Sequence, residues 1–269
     1  PRSDNSTLSK LINDTLPTPN TWETRLSSGE DKKSVFLDLL KTKQLGALAF
    51  LRNLRNMNDA GVSKDIMKEY AENLDVSKIL PFQFITSARF NPWAEPFLET
   101  MMLKCLDGKE KLKGKTLLMI DVSGSMGHEL SSKGIMTRLD VAYGLGALCR
   151  ELCEDVTIYT FSNHEKLIPS RRGFGLVDAI KNSQYNSGTY FSKSLNNIKT
   201  LESDTSFDRT IVLTDEQFNG YNESNTKPEG EGWMINIGIS TNSVDKSDNW
   251  NRINGWSENV FSYILNSEK

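Results

Sequence analysis

The stretch Leu117–Leu130, LLMIDVSGSMGHEL, begins as a continuous apolar run and ends in oxygen-bearing side chains at alternate positions, Asp121, Ser123 and Ser125. An apolar run without alternation is what a strand buried on both faces requires. Extended backbone repeats its side chains every two residues, so these three side chains can leave the sheet toward one side. Gly124 and Gly127 permit the tight turn that such convergence needs. One carboxylate and two hydroxyls form a set of hard oxygen donors. That set suits Mg²⁺, which takes near-octahedral oxygen ligation and usually keeps some of its waters. The bland alternative is a polar turn in which Ser123 and Ser125 cap the next helix.

Downstream, strands alternate with helices. TLLMID, DVTIYTFS, DRTIVLTD and GWMINIGIS read as strands, and EKLIPS as a short one. TRLDVAYGLGALCRELCE, GLVDAIKN, YFSKSLNNIKTL and WSENVFSYIL read as helices. Gly144 and Gly146 fall inside the first of these helices, where they permit close helix–sheet packing. This alternation predicts an α/β fold with a doubly wound, mostly parallel sheet. Ligands of such sheets bind beyond the carboxyl ends of the strands, where Asp121 and Asp215 are both expected.

Upstream, the pattern is helical. KKSVFLDLLKT and QLGALAFLRNLRNMND carry apolar residues at helical spacing, and Ser63 is placed to cap KDIMKEYAENL. Pro81 and Pro92 break helices, Pro96 fits a first turn, and Gly108 a helix stop. Short helices with short links predict stacked helix pairs, part of an α-solenoid. The charged, glycine-flanked GKEKLKGK, residues 108–115, reads as a solvated linker. The expected organisation is therefore a helical-repeat segment over 1–113 and an α/β domain over 114–269.

The composition of the 269 residues is that of an ordinary globular protein, and no apolar run is long enough to span a membrane. The polar start shows no signal-peptide pattern. It also lacks an initiator Met, which fits a trimmed chain or a fragment. Three cysteines, Cys105, Cys149 and Cys153, do not make a disulfide framework. Cys149 and Cys153 read as buried positions of one helix, and the expected location is the reducing cytoplasm. Two histidines are too few for a histidine-based metal site. The net charge of −3 divides into +3 over residues 1–115 and −6 over 116–269, a contrast that ordinary scatter also produces.

Further oxygen donors stand at other expected strand ends. Thr189 follows a glycine and opens a helix, and Asp215 ends the strand IVLTD, with Thr214 beside it. A D-x-S-x-S string followed by a Thr and then an Asp resembles the metal-ion-dependent adhesion site of the von Willebrand factor A domain. Asp121, Ser123, Ser125, Thr189 and Asp215 stand at its five positions. The resemblance implies a bound Mg²⁺ or Mn²⁺ whose open position takes an acidic group from a partner. Two enzymatic readings fit less well. An aspartyl-phosphate phosphatase needs a second Asp where Ser123 stands. A serine hydrolase using Ser125 and His128 lacks the G-x-S-x-G elbow. RRGFGLVD holds Gly173-x-Gly175 without a third glycine, a weak dinucleotide signature, and no P-loop is visible. A binding module is favoured over an enzyme.

The strings LPTPNTWETRLS, LGALAFLRNLRNM and ILPFQFITSARF, leading into DVSGSMG, resemble the end of a TROVE domain. TROVE is the helical-repeat module of the Ro autoantigen family of ribonucleoproteins, whose ring of helices is closed by an A domain. This helical segment is shorter than a full TROVE domain. A ring would therefore need further N-terminal helices or self-assembly. The resemblance implies a non-catalytic protein that binds small non-coding or misfolded RNA in RNA quality control, partly by tethering RNA to an exoribonuclease. The residue-level candidates for RNA contact are Arg52 and Arg55, which share a helix face, and Arg89, which follows an aromatic string. Phe82, Phe84 and Phe90 are expected in the core rather than stacked on bases. The competing reading is a protein-adhesion module that uses the cation without RNA.

Overall fold

The computed structural model describes residues 6–17, 21–130, 136–185, 187–219, 226–238, 249–257 and 259–269. The first part is helical: α1 Ser6–Ile12, α2 Trp22–Ser27, α3 Lys32–Lys41, α4 Ala47–Asp59, α5 Lys64–Glu72, α6 Phe82–Phe90 and α7 Glu95–Leu106. Local chemistry sets several of their ends. Thr21 and Thr24 form a reciprocal capping box at α2, and Asp31 caps α3 through the Ser34 amide. Pro92 opens a 3-10 turn, Pro96 lies in the first turn of α7, and Gly108 follows α7 at a φ of +74°. Ser63 stands at the start of α5 without a side-chain capping bond.

The second part is a six-stranded sheet in the order β3-β2-β1-β4-β5-β6, with helices on its faces. The strands are β1 Leu112–Asp121, β2 Cys153–Phe161, β3 Glu165–Leu167, β4 Arg209–Thr214, β5 Glu231–Asn236 and β6 Asn251–Asn254. Every pairing is parallel except that of β3 with β2. Helices α8 Arg138–Leu152, α9 Gly173–Lys181, α10 Phe191–Leu201 and α11 Val260–Ser267 complete the chain. This is the expected doubly wound α/β fold preceded by a helical segment. Four local details differ. β1 starts at Leu112, inside the charged stretch read as a linker. Cys153 opens β2 instead of continuing the helix that holds Cys149. β6 is a strand where none was expected, since NRIN carries only one apolar residue. The strand expected over GWMINIGIS ends at Asn236, and its last two residues, 239 and 240, lie outside the described residues.

Both sheet faces are buried, which explains the apolar runs. Leu117 and Met119 of β1 join Phe161, Phe191 and Met234 on one face. Leu118 and Ile120 face the other way and join a larger core, continuous from Val35 in α3 through α6 and α8 to Ile264 in α11. The helical segment and the sheet thus share one hydrophobic core. Gly144 marks the seam. A Cβ there would lie 2.4 Å from a ring carbon of Phe82, so α8 packs at that point on α6 rather than on the sheet. Gly146 does face the sheet, where a Cβ would meet Ile120 at 2.8 Å. Among the described residues, no helix is long and apolar enough to cross a membrane.

Candidate metal centre

Neighbouring β1 and β4 are the point where the strand order reverses, and the crevice beyond their carboxyl ends is where such sheets hold ligands. Asp121 ends β1, and Asp215 follows β4 directly. The register sets Ile120 opposite Leu213, which brings Thr214 alongside Asp121. Thr214 Oγ1 donates to Asp121 Oδ2 at 2.7 Å, and the Ser123 amide donates to Asp121 Oδ1 at 2.9 Å. The carboxyl is fully buried. Burial pushes its pKa up to about 7, against the lowering effect of the Ser123 and Thr214 hydrogen bonds, and the nearby Asp215 adds to the rise.

After Asp121 the chain makes a 3-10 turn over Gly124–Gly127. Ser123 Oγ and Ser125 Oγ lie 3.3 Å apart, and Ser125 Oγ donates to Asp215 Oδ1 at 3.1 Å. These spacings match the edge of an octahedron around a cation held at ~2.1 Å, which is about 3 Å. Ser123 makes no side-chain capping bond to the turn, so the capping alternative does not describe it, and α8 is capped instead by Thr137. His128 Nδ1 meets the main-chain oxygen of Ser125 at 2.7 Å rather than its hydroxyl, which is not a nucleophile–base pair.

Thr189 is buried in the loop before α10, which begins two residues later than expected, at Phe191. Its loop is tied to the turn by a hydrogen bond from the Gly124 amide to Ser187 O at 2.8 Å. Ser162 Oγ and Asn163 Oδ1, both beyond β2, hold Gly188 on the other side. Four strand ends or loops therefore meet at the rim. Among the described residues, no three His, Cys, Asp or Glu side chains form a group able to hold a metal. The rim's carboxylates are Asp121 and Asp215, and its other oxygens are hydroxyls, a hard set of low total charge.

Two neighbours were not anticipated. Arg138, the first residue of α8, donates from Nη1 to Asp215 Oδ2 at 2.5 Å, with its side chain only 16% exposed. Glu216 sits at a φ of +57°, is buried, and pairs with Arg252 at 2.8 Å. No local pattern marks Arg138, because a charged residue at a helix start usually faces solvent.

The RNA candidates divide. Arg52 and Arg55 are exposed on α4, Arg55 with a loose contact of 3.7 Å to Asp59. Arg89 is instead ion-paired with Asp140 of α8, bridging the two parts of the chain. Phe82 and Phe84 are buried as expected, but Phe90 is 37% exposed.

Sheet order and rim together define an α/β domain with a doubly wound, mostly parallel sheet, carried on a helical segment. The family model of the TROVE domain matches residues 13–122. The chain overlays the crystal structure of the RO (RSR) protein of Deinococcus radiodurans with a TM-score of 0.64 at 15% identity. The overlay covers 100% of this chain and 68% of that one. Residues 13–122 are thus similar to the TROVE domain, and the chain shares the fold of that RO protein. The PilB minor pilin of Streptococcus sanguinis (10% identity, TM-score 0.41, 60% of this chain and 62% of that one) overlaps too little to support any argument. The same holds for an aerotolerance-related membrane protein of Bacteroides fragilis (14%, 0.40, 58% and 98%). No curated protein matches the chain.

Proposed function

We infer that this chain is a non-catalytic, RNA-binding ribonucleoprotein subunit of the Ro type, taking small non-coding or misfolded RNA. The observation that carries this reading is the TROVE match over residues 13–122, which runs without interruption into β1 and the A-type sheet. Arg52 and Arg55, exposed on one helix, are the phosphate contacts it proposes. Arg89 takes a positioning role, because its charge is already engaged by Asp140.

The rim would hold Mg²⁺ or Mn²⁺ through Asp121, Ser123 and Ser125, with Thr189 and Asp215 completing the set. With these two carboxylates and three hydroxyls around it, an octahedral divalent ion would keep one position open, which a carboxylate from a partner protein could take. The chain's own residues prepare this. Thr214 and Ser123 orient the Asp121 carboxyl, and Ser125 bonds Asp215 while its hydroxyl lies 3.3 Å from that of Ser123. That convergence also favours the second reading, a metal-dependent protein-adhesion module without RNA.

A gel-shift titration with a structured RNA bearing a single-stranded 3′ tail separates the two readings. Under the first, binding weakens with salt and survives EDTA, because phosphates are met by arginines and not by the rim. Absence of binding at every salt concentration would defeat it and leave the adhesion reading. A pull-down dependent on both Mg²⁺ and Asp121 would then test the latter.

A further inference from the structure

We propose that Arg138 is a built-in competitor for the cation at the rim, and that it sets how tightly a divalent ion is held. This rests on the metal-site reading above and deepens it. Arg138 Nη1 bonds Asp215 Oδ2, while Ser125 Oγ bonds the other oxygen, Oδ1. The carboxylate of Asp215 is fully buried, so its charge requires a partner, and the guanidinium is that partner. The fold makes room for the pair. Gly238, just beyond β5, would with a Cβ lie 2.9 Å from Asp215 Cβ and 3.5 Å from Arg138 Cζ. Arg138 is also fixed from its backbone, whose amide donates to His128 O at 3.1 Å, and by the Thr137–Asp140 capping box that starts α8.

A guanidinium here acts on a divalent ion in two ways. It occupies an oxygen of Asp215 and neutralises that carboxylate. It also repels the ion directly. Even at the dielectric of bulk water, a unit charge roughly 6 Å from a divalent ion lowers affinity about tenfold. The rim of this chain therefore holds its cation weakly, and an anionic group arriving from a partner strengthens the hold by offsetting Arg138.

The test is Mn²⁺ binding, followed by electron paramagnetic resonance, to the full chain and to Arg138→Gln and Arg138→Lys. R138Q should bind Mn²⁺ at least about tenfold more tightly than the parent, while R138K, which keeps the charge, stays near the parent. R138Q should also melt lower in EDTA and regain its stability with Mg²⁺. If the parent binds Mn²⁺ and R138Q binds it equally or less well, the competitor role is overturned while the metal site stands. If neither binds, the metal reading fails and takes this inference with it. Should R138Q not fold, the parent still reports. The Arg138 Nε–H resonance, assigned with R138K, should shift and exchange faster as Mg²⁺ is added. A resonance unmoved at saturating Mg²⁺ would overturn the proposal.

Discussion

At Asp121, burial and hydrogen bonding act against each other, and burial is the larger effect. Its folded pKa of about 7 lies above the ordinary value of 3.8. A carboxyl raised in this way contributes stability that is fully present below the ordinary value and is lost as pH rises through about 7. A divalent ion held at the proposed site would bind the ionised form and offset that loss. Mg²⁺ should therefore raise the melting temperature little at about pH 5 and clearly at about pH 8. Equal shifts at both values would remove Asp121 from the site. Asp121→Asn keeps the shape but cannot carry the charge, and should weaken Mn²⁺ binding by about a hundredfold or more in a direct titration. The serines and Asp121 were legible because they are neighbours at a spacing of two on one strand end. Arg138 was not, because its partner Asp215 lies 77 residues away.

At the scale of elements, two glycines in helices make opposite predictions. Gly144 of α8 faces Phe82, and a Cβ would lie 2.4 Å from its ring. Gly144→Ala should cost about 1–3 kcal/mol in denaturant unfolding, because α6 and α8 are forced apart. Gly175 in α9 is exposed, with nothing within 4 Å of where its Cβ would be. Gly175→Ala should be neutral or stabilise by up to about 1 kcal/mol through helix propensity. A stabilised Gly144 variant would show that the seam is looser than its packing. The sequence placed Gly144 inside a helix and Gly175 where a loop enters one, with no sign of what either would face. Only the element packed against each one separates them.

At the scale of the whole molecule, one hydrophobic core runs from α3 to α11. The helical segment and the sheet should unfold together in a single calorimetric transition. Two separated transitions would show that the shared core does not couple them. The Arg89–Asp140 pair also spans the seam, but its side chains are 33% and 24% exposed, so Arg89→Ala should cost less than about 1 kcal/mol. RNA binding tests the exposed arginines differently. Arg52→Ala with Arg55→Ala should weaken binding and reduce the salt slope by about 0.7 for each lost contact to single-stranded RNA. An unchanged slope would move the RNA surface elsewhere on the chain.

The sequence by itself determined the alternation of strands and helices, the burial of β1 on both faces and the oxygens at its end. Those features are periodic and local, so they are written in consecutive residues. The resemblance of the helical strings to the TROVE domain was likewise carried by short stretches. Tertiary structure alone decided the strand order, the core shared across the seam, the extra strand β6 and the pairing of Arg138 with Asp215. Each of these depends on which distant segments become neighbours. That choice is made by the packing of the whole chain, and no window of sequence contains it.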